Sequence, residues 1–486
     1  MAESVDDVTL LSDGQAGKTH PGASMAGCVL NLANTIMGTG ILALPYALKG
    51  TGLVPGGCFL ILAAGTGMLS LHFLSESARQ VGRPANFYSV SEAAYPGLSV
   101  AVDMVVVVNG FLACLGFLIV AGDAFTDLHG PTEGGPNRQV WTLIAIAIVT
   151  PLTMLKRLDM LKFTSALSMI VLLLISGIVI LFSLRLDVPD LTPCALGVPD
   201  SQCAGPVDAF TAPISTVRSF ATFVVSFTCQ QNLFAVTNEL RNPTPTRCLL
   251  LIVLSISLAA VLYAAVGYAG YLTFGNRVLS DIIATYPEGN PIVTVARAGI
   301  ALVVLTCYPL QAFAVRTSLG TLLTAAYGAC ITPAAIEDTA HTDITIDSPA
   351  LEDPTLNTVG SGRESSGPLG PPPVLDEVRA CGPLGGVFVV ESRAIGVIAL
   401  LLGSNTALAM VVTKLGIILD INGSLSGTAI TFIVPGVVFY LLRTPDERKG
   451  GMGKSALVMA IVGTLLVPVS LTAAFLPSSI GSNVTA

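Results

Sequence analysis

Charge is scarce in this 486-residue chain. Asp, Glu, Lys and Arg make up 11% of it, against about 25% in soluble domains. Histidine is scarcer still, and His20, His72, His129 and His341 fall in unrelated segments, so they form no metal cluster. The ten cysteines show neither CxxC nor Cys/His ligand spacing. No P-loop or Walker motif is present, which argues against an ATP-driven pump. Asp103 and Asp123 bracket one apolar run from opposite ends, too far apart for paired acid chemistry. The chain is not expected to be an enzyme or to carry a cofactor. A net charge of −8 supplies no basic patch for nucleic acid. No basic stretch precedes a short apolar run at the N-terminus, so a cleaved signal peptide is not expected.

What the chain has is apolar length: 52% of its residues are hydrophobic and its mean hydropathy is +0.76. Runs of about 20 apolar residues read as membrane spans. Eleven are predicted, near 24–48, 53–77, 101–125, 139–156, 160–184, 213–238, 247–274, 290–318, 391–413, 422–442 and 455–476. The fourth is short, and the first and eighth are long enough to bend or tilt. With the N-terminus in the cytoplasm, 16 Lys and Arg fall in cytoplasmic segments and 5 on the other side, as the positive-inside rule requires. The expected layout is a cytoplasmic tail at 1–23, a transmembrane domain at 24–476 and an extracytoplasmic tail at 477–486.

Cys194 and Cys203 share a polar loop that this orientation places outside, where a disulfide can persist. Their eight intervening residues leave room for the turn it needs. Sequons occur at Asn483 and, against the outer edge of the tenth span, at Asn422. Residues 328–390 are rich in Pro, Gly, Ser and acidic side chains and read as a disordered cytoplasmic loop. Residues 6–11 have the form of an acidic dileucine sorting signal, a pattern short enough to arise by chance. Residues 78–98 suit a short interfacial helix.

Two spans are interrupted. In NLANTIMGTGILALPY, residues 31–46, Gly38-Thr39-Gly40 falls at mid-depth. A spanning helix satisfies its own backbone, so a break there frees N–H and C=O groups to grip a solute. The sixth span gives way at Thr228, Cys229, Gln230, Gln231 and Asn232. Breaks at corresponding positions of two halves point to a transporter's site. The candidate substrate residues are Thr35, Gly38, Thr39, Gly40, Thr228, Cys229 and Gln230. The competing reading is hydrogen-bonded bracing between helices. Asn34 and Thr306 offer oxygens for a candidate sodium site, with Pro309 leaving a carbonyl unpaired nearby. Other ionisable residues near spans are His72, Glu76, Asp103, Asp123, Arg218, Glu239, Asp281 and Arg297; Arg297 lies deep enough to need a partner.

Residues 31–46 resemble the first-helix signature of the amino acid/auxin permease family, in the branch of sodium-coupled neutral amino acid transporters and vacuolar amino acid transporters. PLTMLKRLDMLKFTS (151–165) is similar to that branch's loop between helices four and five. FTCQQNLFAVTNEL (227–240) is similar to its sixth helix, in the vacuolar form. The resemblance covers residues 24–476. It implies an all-α membrane protein of eleven helices, ten of them in the five-plus-five inverted repeat of the leucine-transporter fold. It also implies amino acid transport driven by sodium or protons, at the plasma membrane or a vacuolar or lysosomal membrane. By that resemblance Gly38, Thr39 and Gly40 offer backbone to the substrate carboxylate, and Asn34 and Thr306 serve sodium. The vacuolar look of Thr228 to Asn232 favours protons. The two oxygen donors, with no carboxylate recognised near the breaks, tilt the choice toward sodium. The expected partners are an amino acid and the bilayer, with the chain acting as a monomer. A non-transporting amino acid sensor and a passive channel remain as alternatives.

Overall fold

The computed structural model describes residues 22–38, 40–129, 137–154, 162–184, 193–194, 203–287, 289–330, 392–412 and 414–475. The terminal tails, Thr39, most of the 328–390 segment, the sorting pattern at 6–11 and the sequon at Asn483 lie outside them.

The described residues are almost wholly helical. In chain order we label α1 (Met25–Ile36), α2 (Gly40–Thr51), α3 (Leu53–Val81), α4 (Phe87–Ala94), α5 (Leu98–His129), α6 (Arg138–Thr153) and α7 (Lys162–Ser183). There follow α8 (Pro213–Ser226), α9 (Gln230–Glu239), α10 (Pro245–Phe274), α11 (Pro291–Cys330), α12 (Ser392–Val411), α13 (Leu415–Leu442) and α14 (Gly451–Phe475). Among the described residues, 7 helices are long and apolar enough to cross a membrane alone, and α1 with α2 makes a bent eighth. The α6 helix and Gly396–Val411 of α12 are shorter apolar helices. The chain is a multi-pass membrane protein.

Local chemistry sets the ends. The Ser24 side chain accepts from the Gly27 N–H and starts α1. Asn86 and Ser89 cap α4 reciprocally, giving the short helix expected between the second and third spans. Thr244 caps α10 ahead of Pro245 at its first turn, where a missing N–H is no loss. That helix ends at Gly275, whose φ of +55° and whose approach to Gly205 leave no room for a side chain.

The α5 and α11 helices pack along much of their length, and α2 lies against both α8 and α10. Outward-facing Ile61, Ile170, Val261, Leu400 and Leu465 are exposed in the isolated chain, as residues facing lipid should be. Loops hydrogen-bond in two groups. At one end, Leu53 and Val54 donate to the carbonyls of Asp208 and Ala209, and Gly205 donates to Phe274. The Cys194–Cys203 disulfide closes at this end, its Cα atoms 5.7 Å apart. At the opposite end, Ala23 bridges to Leu240 and Arg83 donates to the Thr237 carbonyl at 2.6 Å.

Several predicted edges move. The tenth span begins at Leu415, not 422, and the eighth continues to Cys330. Polar Asp420 and Asn422 are buried in helix packing, so hydropathy alone began the span too late. Asn422 is therefore an interior residue and not an accessible glycosylation site. The sixth-span break is also shorter than expected. Phe227 to Cys229 are non-helical, and Gln230, Gln231 and Asn232 form the first turn of α9.

Candidate substrate site

The two breaks meet. The α1 and α2 helices are inclined by 50° across the Met37–Thr39 gap, and Gly40 at the start of α2 lies against Ser226 at the end of α8. A Cβ built on Gly40 would sit 2.9 Å from Ser226 Oγ and 3.0 Å from its Cα. Buried Tyr263 of α10 ties the breaks together: its hydroxyl is 2.6 Å from the Ile36 carbonyl and 2.8 Å from the Ser226 carbonyl. These carbonyls close α1 and α8, and helix ends leave such groups without intrahelical partners. One phenolic hydrogen is shared between them. On the other side of each gap, the N-termini of α2 and α9 carry partial positive charge.

A cavity of about 60 Å³, the space of a few waters, opens between the breaks and helices α5, α11 and α13. Its polar wall is Thr35, Asn109, Thr228, Gln231, Gln311 and Asn422, and Phe117, Leu112 and Leu419 supply apolar surface. Among the described residues no Asp, Glu, Lys or Arg lines it. Thr35 Oγ1 donates to the Asn31 carbonyl at 3.0 Å and accepts from Asn232 Nδ2 at 3.3 Å, linking α1 to α9. Gln231 Nε2 donates to Gln311 Oε1 at 3.3 Å, linking α9 to α11. Two wall oxygens, Asn109 Oδ1 and Gln231 Oε1, are buried without a donor. Buried acceptors left unpaired cost about 1–3 kcal/mol each, so a ligand bearing N–H groups is the natural complement.

Of the expected site residues, Thr35, Gly38, Gly40 and Thr228 line the cavity, and Thr39 lies outside the described residues. Cys229 and Gln230 do not line it. Gln230 is fully buried, its Nε2 donating to Ser70 of α3 and its Oε1 accepting from the Cys229 N–H. A step of one residue on α9 turns Gln231 inward instead. Asn109, Gln311 and Asn422 escaped sequence reasoning, although isolated amides inside the apolar runs of α5 and α11 were a usable signal.

Asn34 is buried in α1 with Oδ1 lacking a donor. The Thr306 hydroxyl lies 2.9 Å from Ser168 Oγ of α7 and also bonds carbonyls of its own helix. Among the described residues no hydrogen bond joins Asn34 to Thr306. Arg297 is 3.3 Å from Asp127 and donates to the Tyr286 carbonyl. Glu76 meets Arg79 and Arg443 and belongs to a surface ion-pair group.

The model of the transmembrane amino acid transporter protein family matches residues 21–476. The chain is 29% identical over 455 residues to vacuolar amino acid transporter 6 of Saccharomyces cerevisiae, covering 91% of this chain and 95% of that one. It is 32% identical over 325 residues to vacuolar amino acid transporter 5 of Schizosaccharomyces pombe, covering 66% and 74%. To sodium-coupled neutral amino acid transporter 7 of Danio rerio it is 27% identical over 333 residues, covering 65% and 68%. Among solved structures, MhsT in complex with L-phenylalanine matches with a TM-score of 0.52 at 13% identity, over 94% of this chain and all (100%) of that one. The nucleobase-cation-symport-1 family transporter Mhp1, closed with bromovinylhydantoin bound, gives 0.52 at 11%, over 93% and 91%. At such identities the likeness is one of fold.

Proposed function

Since the chain belongs to the transmembrane amino acid transporter family, we propose that it is a secondary active transporter of neutral amino acids, coupled to sodium or protons and working by alternating access. The observation that carries this reading is the meeting of two helix breaks at a partly open cavity whose described lining is uncharged and mixes polar with apolar side chains. A zwitterion suits such a place. Its carboxylate would lie at the partly positive N-terminus of α2 beside Gly38 and Gly40. Its ammonium would donate to the unpaired oxygens of Asn109 and Gln231. A wall free of charge favours a side chain that is itself neutral, because a buried charge needs a paired partner.

We read these helices as eleven spans. On this reading α1–α2, α3, α5, α6 and α7 form one half of an inverted repeat, α8–α9, α10, α11, α12 and α13 the other, and α14 stands apart. The yeast relatives favour a vacuolar membrane, and the zebrafish relative keeps sodium, through Asn34 and Thr306, open as the coupling ion. The test is uptake of a radiolabelled panel of neutral amino acids into liposomes containing the purified chain, under separate sodium and pH gradients. Accumulation above the equilibrium level is expected. Binding without flux would instead make the chain a sensor using the same pocket.

A further inference from the structure

Asp420 stands behind the cavity wall. Its neighbours in sequence, Leu419 and Asn422, line the cavity, whereas Asp420 is 7% exposed and its Oδ1 accepts from Thr222 Oγ1 of α8 at 3.0 Å. Thr222 lies one turn before Ser226, where α8 breaks. Just beyond this contact the two helices touch backbone to backbone, for a Cβ on Gly423 would lie 2.1 Å from the Ala221 carbonyl oxygen. From Gly423 to Gly427, and again from Ala429 to Ile433, α13 is wound as a π-helix, a form concentrated at functional sites.

The Asp420 carboxylate accepts a hydrogen bond from Thr222 and lies in the field of one nearby cation, Arg218. From α8, Arg218 faces it and also donates to the Ala473 carbonyl at 2.9 Å. From α2, Tyr46 faces it, while Lys49 donates to the Val278 carbonyl. The α5 helix brings Asp123 and Asp127, which meet Arg138 and Arg297, His129 against the Trp141 ring, and Asp103 near its other end. The α14 helix carries only Lys454, also at its far end.

We infer that Asp420 is the proton-binding residue that couples transport to a pH gradient. This rests on the proposed transport function and names its coupling ion. One O–H bond forms at the carboxylate with a proton from water on one side of the membrane. The same bond breaks to water on the other side, and no electrons move. A charged carboxylate this deep in a span is costly, and the neutral acid removes that cost. Because Asp420 holds α8 through Thr222 and does not face the solute, its charge biases how the broken helix sits against α13 without competing for the substrate's ammonium.

The experiment uses the full chain in liposomes with radiolabelled neutral amino acids, and compares pH-gradient-driven accumulation with solute exchange at equal pH on both sides. The wild type should do both. Asp420→Asn, a fixed mimic of the neutral acid, should keep exchange and lose concentrative uptake. Thr222→Val leaves the carboxylate but removes the donor that favours its charged form. It should move the pH of half-maximal transport up by about one unit. Undiminished pH-driven accumulation by Asp420→Asn, an unchanged pH profile in Thr222→Val, or wild-type accumulation driven by sodium alone would each overturn the assignment. Binding without flux in the wild type would overturn the transport reading beneath it.

Discussion

At the scale of single residues, the two glycines of the first break have different duties. A Cβ on Gly40 would press on the Ser226 backbone at 3.0 Å, while one on Gly38 would meet only the edge of the Phe117 ring at 3.7 Å. Overpacking a tight contact costs about 1–3 kcal/mol, and here the neighbour is backbone and cannot turn aside. Gly40→Ala should therefore abolish uptake, or reduce it at least tenfold, in protein that still reaches its membrane. Gly38→Ala, whose methyl meets no backbone but enters the cavity, should keep much more of its maximal rate and show its change in KM. Equal rates for the two variants would remove the special place of the Gly40–Ser226 contact. The sequence made the break legible because Gly-Thr-Gly interrupts an apolar run. It could not rank the glycines, since what each one touches comes from a distant helix, Ser226 for Gly40 and Phe117 for Gly38. Gln230 and Gln231 teach the same lesson: identical side chains side by side, one braced against Ser70 and the other facing the cavity.

At the scale of elements, hydropathy found the spans and misjudged their ends wherever polar residues are buried by neighbouring helices. Asp420 fell outside the predicted tenth span for that reason, which is why no carboxylate was recognised near the breaks. The loop between α10 and α11 holds a second buried carboxylate with a different consequence. Asp281 caps the short helix Ile282–Thr285 by accepting from the Ile283 N–H at 2.8 Å. Burial pushes its carboxyl up to about 7, and the nearby charges of Asp123 and Asp127 push the same way. The folded form thus holds a proton that the unfolded segment releases near its ordinary value of 3.8. Between these values the native state binds more protons, so the loop's stability is greatest in acid and falls as pH rises toward about 7. Amide hydrogen exchange at Ile282 to Thr285, corrected for its intrinsic pH dependence, should show protection declining across that window. Asp281→Asn should flatten the decline, and protection that instead grows with pH would show that the folded loop prefers the charged form.

At the scale of the whole molecule, the hydrogen bonds between loops and the distribution of basic residues are independent observations that sort the helix ends in the same way. One end joins the start of α1, the close of α3 and the close of α9, and there Arg83 donates to the Thr237 carbonyl. Arg443 at the close of α13 also meets Glu76 there. This is the basic face, which the positive-inside rule assigns to the cytoplasm. The other end joins the start of α3, the close of α10 and the segment before α8, and it carries the Cys194–Cys203 disulfide, a bond that lasts only away from cytosolic reductants. Asn276 is exposed at this end and Asp446 at the basic one. In a background lacking Cys58, Cys330 and Cys381, added cysteines at these two positions should separate the faces. A membrane-impermeant maleimide applied from the cytoplasmic side should label Asp446→Cys and spare Asn276→Cys until the membrane is permeabilised. The reverse pattern would invert the protein in its membrane, turn the disulfide loop toward the reducing compartment, and require the solute and its coupling ion to enter the α1–α8 cavity from the opposite face.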